Sequence, residues 1–206
     1  MNTKVILASA SPRRRELLHQ VGLEPEIIPS QIEEIITCEE PEQIVKELSR
    51  QKAERVADKL FWMTETAHGD DKSQIVVLGA DTVVAVNGKI LGKPATKEEA
   101  VQMIALLQGR AHQVYTGVTM IFGAEGERLT FAERTDVHVC SMSQEQMERY
   151  VMTGEPMDKA GAYGIQGCFA AFILGIEGDY NNVVGLPVGR VCRELMARGW
   201  EVWNSQ

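Results

Sequence analysis

The stretch VILASASPRRRELL, Val5 to Leu18, constrains the fold more than any other part of the chain. Residues 5–8 are apolar and read as a short buried strand. Ser11 can cap a helix, Pro12 suits its first position, and residues 13–21 continue it to a stop at Gly22. A strand that turns straight into a helix is the opening unit of an α/β protein. The pattern continues with a strand over residues 26–28 and a long helix from Pro41 to about Phe61. The apolar stripe of that helix is Ile44, Val45, Leu48, Ala53, Val56 and Leu60. A polar loop follows over 64–73, then a buried strand over 75–78 that runs out at Gly79-Ala80. Residues 82–92 form a hairpin with Asn87-Gly88 at its tip. Thr96 and Glu99 make a capping box for a helix carrying Ala100, Met103, Ile104 and Leu107 and ending at Gly109. Residues 113–122 and 129–139 alternate like a pair of antiparallel strands. Ser143 and Gln146 begin another capped helix, stopped by Gly154. The glycine-rich segment from Lys159 to Pro187 is expected to hold short strands between turns, and a last helix spans 187–198 before Gly199. Helices and strands alternate early and strands dominate later, which predicts a mixed central sheet flanked by helices. No repeat, low-complexity linker or boundary interrupts the chain, so one domain over residues 1–206 is expected.

Composition narrows the function classes. A net charge of -8 argues against a general binder of nucleic acid or membrane surfaces, since both are polyanions. No apolar run approaches the roughly 20 residues of a membrane span, and Met1-Asn2-Thr3-Lys4 has no signal-peptide core. Cys38, Cys140, Cys168 and Cys192 lie far apart without a CxxC pair, which fits reduced thiols in a cytoplasmic protein. His19, His68, His112 and His138 are scattered and read as structural or surface residues.

Against that acidic background, Arg13, Arg14 and Arg15 crowd the first turn of a helix, where cations oppose the macrodipole by roughly 0.3–1 kcal/mol each. An anion at the helix N-terminus would explain the placement, because unpaired N–H donors there suit a phosphate. A solvated basic face pairing with Glu16 is the alternative. Lys52 lies on the apolar stripe of the long helix, so its ammonium either snorkels to water or reaches an anion. The hairpin register carries Thr82 opposite Lys93, with Asp81 one residue earlier at a strand end, where α/β sheets place ligands. An undisturbed pleat would send Asp81 to the opposite face. Glu33 and Glu34 form an acidic pair that, together with Asp81, could hold a divalent ion. Magnesium needs only one or two carboxylates plus substrate phosphates.

The motifs LASASPRR, GADT, LGKP, DKAGAYGIQG and NVVGLP, in this order from Leu7 to Pro187, resemble the Maf family of nucleoside triphosphate pyrophosphatases. The resemblance implies an α/β fold related to the inosine triphosphate pyrophosphatases, with two lobes around a cleft. It implies metal-dependent hydrolysis of a nucleoside triphosphate to the monophosphate and pyrophosphate, with magnesium or manganese as cofactor. By the family pattern, Asp81 of GADT activates water, and Glu34, Lys52 and Lys93 complete the catalytic set. Asp81 and Glu34 are also the expected metal ligands. Arg13, Thr82 and Gln166 fall at positions linked to substrate choice in the dTTP/UTP subgroup, and Ser9 and Arg14 of the opening turn join the candidate substrate contacts. A homodimer is implied by the resemblance alone. Two other readings share the anion site: a nucleotide-binding regulator of cell division without turnover, and a purine-selective house-cleaning pyrophosphatase.

Overall fold

The computed structural model describes residues 4–62, 75–123 and 126–203, and the polar loop expected over 64–73 lies outside the described residues. The elements in chain order are β1 (Lys4–Leu7), α1 (Pro12–Gln20), β2 (Glu26–Ile27), α2 (Pro41–Ala57), β3 (Ile75–Val86) and β4 (Lys89–Leu91). They are followed by α3 (Lys97–Leu107), β5 (Ala111–Phe122), β6 (Glu127–Val139), α4 (Gln144–Met152), β7 (Ile173–Glu177), α5 (Tyr180–Val184) and α6 (Val188–Ala197). A π-helical turn, Asp58–Trp62, extends α2. The sheet runs β2-β1-β3-β5-β6-β7, with β4 paired to β3. β1 is parallel to β2 and β3, while β4 on β3 and β7 on β6 are antiparallel, so the sheet is mixed as expected. Among the described residues no helix is long and apolar enough to cross a membrane.

The chain divides into two compact units. One comprises the chain up to Asp81, Thr116–Ala132 and everything from Gly185 onward; the other comprises Thr82–Tyr115 and Glu133–Val184. In the first unit β1 is buried along Val5, Ile6 and Leu7, as a strand flanked on both edges by parallel neighbours requires. One face of the sheet packs Ile6, Ile75, Val77 and Ile121 against Ala53, Val56 and Ala57 of α2. Two glycines set the spacing. A β-carbon on Gly79 would lie 2.3 Å from the Ser49 carbonyl oxygen and 2.7 Å from the Ala53 nitrogen, and one on Gly117 would lie 2.1 Å from the Val45 carbonyl oxygen. The Ser49 hydroxyl reaches Thr119 Oγ1 at 3.0 Å, which in turn meets Thr130 Oγ1 at 3.0 Å. The opposite face of β5 turns Phe122 to Trp200, with ring centroids 5.7 Å apart.

The second unit gathers α3 and α4 with three short 3₁₀ turns, Glu155–Asp158, Ala160–Ala162 and Cys168–Phe172. Phe169 is fully buried among Tyr150, Tyr163 and Phe172, with centroids 4.8–5.7 Å apart. His112 is fully buried on β5, and its Nε2 meets the Tyr163 hydroxyl at 2.8 Å while Nδ1 has no hydrogen-bond partner.

Several sequence expectations hold in detail. The hairpin pairs Val86 with Lys89, Ala85 with Ile90 and Val84 with Leu91, and both tip residues have positive φ, 50° at Asn87 and 73° at Gly88. The Ser143–Gln146 capping box is complete. Others are corrected. The strand expected to end at Gly79-Ala80 continues unbroken through Val86, because Gly79 relieves a close packing contact instead of turning the chain. β4 ends at Leu91, so Lys93 sits in the following loop and forms no ladder pair with Thr82. Thr96 caps α3 by accepting from the Glu99 N–H, but the Glu99 carboxylate takes the Ala95 N–H, so the box is only half made. Ser11 occupies the N-cap of α1 without a side-chain cap bond. The glycine-rich segment holds one strand, β7, among 3₁₀ turns and α5, because its glycines serve tight turns and close approaches.

Two outcomes follow. Gly79→Ala, whose methyl meets backbone atoms that cannot rotate away, lowers unfolding free energy in urea titrations by about 3 kcal/mol. His112 is pushed down to about 4 from its ordinary 6.5, chiefly by burial, with Asp136 opposing and His138 reinforcing the shift. The unfolded chain therefore takes up the proton first, and stability falls as pH drops from 6.5 towards 4 while this contribution stays constant above 6.5. The loss is on the order of 3 kcal/mol, and His112→Gln flattens that arm of the urea-midpoint pH profile.

Candidate active site

The carboxyl end of β1 and the adjoining part of β3 build the site in the first unit. Leu7 pairs with Leu78, so Asp81 lies three residues beyond the end of that ladder. The chain leaves β1 through Ser9 and enters α1 at Pro12. Residues 75, 77, 79 and 81 share one pleat face, and that face meets α2. Asp81 therefore faces the helix and meets Lys52, three residues after Ser49. The Lys52 ammonium pairs with Asp81 Oδ1 and lies 2.8 Å from Glu34 Oε1. Side-chain exposure is 13% for Lys52, 15% for Asp81 and 46% for Glu34, so the Lys52–Asp81 contact is largely dry and Glu34 closes it from the solvent side. Of the two alternatives for Lys52, the structure shows an anion partner.

The three arginines diverge. Arg14 is buried: its Nε donates to the Gly185 carbonyl at 2.8 Å and its Nη1 to Ser9 Oγ at 3.0 Å. This bond joins LASASPRR to NVVGLP. Burial lowers the pKa of Arg14, Asp81 raises it, Arg13 lowers it and Glu34 raises it, so these four charges share one field. Ser9 Oγ also accepts the Ser11 N–H at 3.3 Å. Arg13 is half-buried beside Arg14, and Arg15 is exposed against His19. In the second unit Thr82 is half-buried at the start of that unit's part of β3, and Lys93 and Gln166 are exposed. The Gly161 N–H donates to the Gly92 carbonyl at 3.0 Å, which ties LGKP to DKAGAYGIQG. Glu33 is exposed.

Two residues of α2 escaped the sequence reading. Gln51 grips the backbone of Ile35 on both sides, accepting its N–H at 3.1 Å and donating to its carbonyl at 2.5 Å. Glu47 accepts the N–H of Thr37 at 2.9 Å and its hydroxyl at 2.7 Å, and these bonds hold its carboxyl below the usual carboxylate range. Glu47 and Gln51 are one helical turn apart beside Lys52, and that spacing is the signal available in the sequence. Together they hold the segment carrying Glu34 along the helix.

Among the described residues no group of three or more His, Cys, Asp or Glu side chains is gathered to hold a metal, so the carboxylates available to one here are Glu34 and Asp81. Glu34 and Asp81 already bring one oxygen each to contact with a single cationic atom, Lys52 Nζ.

The model of the family described as Maf-like protein matches residues 4–198. The chain is 52% identical to a dTTP/UTP pyrophosphatase of Agathobacter rectalis, over 97% of this chain and all of that one. It is 47% identical to a dTTP/UTP pyrophosphatase of Bacillus anthracis, over 93% of this chain and 94% of that one. A solved HAM1 protein from Coxiella burnetii is similar at a TM-score of 0.48 and 14% identity, over 96% of this chain and all of that one.

Gln51→Ala frees the Ile35 backbone. Amide hydrogen exchange at Ile35 speeds up by about tenfold or more, while exchange in β1 stays unchanged.

Proposed function

The chain belongs to the Maf-like protein family, and from that premise we propose that it hydrolyses dTTP and UTP to the monophosphate and pyrophosphate. The observation that carries this reading is the Lys52 ammonium held between Glu34 and Asp81 at the end of β1, beside the turn into α1.

Attack of water on the α-phosphorus forms one P–O bond and breaks the α–β bridging bond, so a proton must leave the water and charge must be neutralised on the departing pyrophosphate. Asp81 is assigned the proton. Lys52 fixes the Asp81 oxygen through their ion pair and, with a second N–H turned to Glu34, has one donor left for a phosphate oxygen. The Ser9 hydroxyl, at the turn into α1, is assigned another part of the polyphosphate. Arg14 holds that turn against Gly185 and, with Arg13, adds positive potential. Glu34 and Asp81 would hold a magnesium or manganese ion, whose chemistry when bound is to polarise the α-phosphoryl group and acidify the attacking water. Lys93, in the second unit, is assigned to the catalytic set by the family resemblance. Thr82 and Gln166 are assigned to substrate choice, Gln166 with the donor and acceptor needed to read a pyrimidine edge. The scattered cysteines without a CxxC pair support a cytoplasmic location, and the family resemblance supports a homodimer.

The test is pyrophosphate release measured across common and modified triphosphates with magnesium. dTTP and UTP are turned over fastest, and chelation stops the reaction. Asp81→Asn keeps its thermal midpoint and loses kcat by about a hundredfold or more. Tight nucleotide binding without product identifies a sensing module instead, and a preference for purines identifies a purine house-cleaning enzyme.

A further inference from the structure

Gln166 stands exposed on a turn in the second unit, and an exposed glutamine on a loose turn would read a base edge poorly. The turn is not loose. Cys168, two residues after Gln166, donates its N–H to Glu155 Oε2 at 2.7 Å. Gly164, two residues before it, donates its N–H to the Tyr150 hydroxyl at 3.2 Å, and that hydroxyl donates to Glu155 Oε1 at 2.9 Å. Both sides of the turn are thus tied to one carboxylate. A third tie closes the turn on itself, from the Gly167 N–H to the Gly164 carbonyl at 3.2 Å.

Two glycines make room for this arrangement. A β-carbon on Gly167 would lie 2.2 Å from Glu155 Oε2, so any side chain there would displace the carboxylate. One on Gly164 would lie 2.7 Å from the Lys159 side chain, whose ammonium donates to the Glu155 carbonyl at 2.6 Å and to Asp158 at 2.7 Å. Beneath the turn, Phe169 is fully buried with Tyr150 5.0 Å away. Burial opposes the charged form of Glu155, yet the Cys168 N–H and the Tyr150 hydroxyl hold its carboxyl below the usual range.

We propose that Glu155, with Tyr150, is the positioning residue for nucleobase selection: it brackets the turn on both sides of Gln166 and holds that side chain ready for a pyrimidine edge. The inference rests on the assignment of Gln166 to substrate choice. A preorganised reader loses less freedom when the base arrives, so its effect appears in KM and in discrimination between bases more than in kcat.

The experiment compares kcat and KM for UTP and GTP in the wild-type chain and in Gln166→Ala, Glu155→Ala, Gly167→Ala and Tyr150→Phe. Glu155→Ala is expected to raise KM for UTP by about tenfold with a kcat change within about twofold, and to shrink the UTP preference by a similar factor. Gly167→Ala, which leaves the carboxylate in the chain but pushes it from its seat, shows the same pattern. Glu155→Gln, which keeps an oxygen for the Cys168 N–H, recovers part of the preference. An intact UTP preference in Glu155→Ala, when Gln166→Ala has lost it, overturns this inference alone. Equal losses on UTP and GTP with a lowered thermal midpoint also overturn it, because they mark a merely structural role. A wild-type chain without pyrimidine preference, or a Gln166→Ala chain that keeps it, removes the underlying assignment and this inference with it. If Glu155→Ala does not fold, Tyr150→Phe decides: an unchanged UTP preference there overturns the proposal.

Discussion

The Ser49 carbonyl of α2 lies 2.3 Å from where a β-carbon on Gly79 would stand, and the Val45 carbonyl lies 2.1 Å from the corresponding point on Gly117. These two approaches put a helix backbone directly on a sheet backbone, closer than side-chain interdigitation allows. The core over this face is accordingly built from small and branched residues, Ala53, Ala57, Val56 and Val77. The site inherits the same distance. Lys52 follows Ser49 by three residues and Asp81 follows Gly79 by two, so the lysine and the aspartate are drawn together by the contact that the glycines permit. A larger residue at either glycine would part the helix from the strand and separate the charges.

A largely dry Lys52–Asp81 pair is weak evidence for stability, since desolvation of two charges opposes their attraction. Its better explanation is chemical. The pair keeps a carboxylate and an ammonium where water is scarce, and Glu34 supplies a second carboxylate from a more exposed segment. That segment has little packing of its own: Ile35 and Ile36 are 63% and 54% exposed. It is placed by side chains of α2, with Gln51 holding Ile35 and Glu47 holding Thr37. One helix therefore provides the central cation and also anchors the segment that carries one of its two partners. In the second unit Glu155 likewise orders a turn, taking the Cys168 N–H directly and the Gly164 N–H through the Tyr150 hydroxyl.

The sequence made the local elements legible wherever a short-range rule operates alone. Asn87-Gly88 set the hairpin register, Ser143 and Gln146 set a helix start, and the stripe containing Lys52 set which way its side chain points. What could not be read was whatever depends on a distant partner. Gly79 looks like a strand terminator until α2 is known to lie against it. The arginine cluster looks like three equivalent cations, yet Arg14 is withdrawn to the Gly185 carbonyl, 171 residues away in the chain, and Arg15 turns to His19. The motifs of the last third likewise make sense only in pairs: Gly185 receives Arg14, and Gly161 donates to the carbonyl before Lys93. The carboxylate of Glu155 was invisible for the same reason, since its bonds go to Cys168 and, through Tyr150, to Gly164.

The overall charge of -8 poses a last physical question for a chain assigned a polyanionic substrate. At physiological ionic strength the field of distant carboxylates is screened within about 8 Å, so a polyphosphate near the surface responds to its immediate neighbours. At the end of β1 the gathered charges are Arg13 and Arg14, with Asp81 and Glu34 partly neutralised by Lys52. The first-turn arginines oppose the helix dipole, but burying Arg14 converts part of that penalty into the bonds that hold Ser9 and Gly185 together. Excess negative charge elsewhere then repels nucleic acid and anionic surfaces, while the screened field of those distant carboxylates leaves the end of β1 to its own local charges.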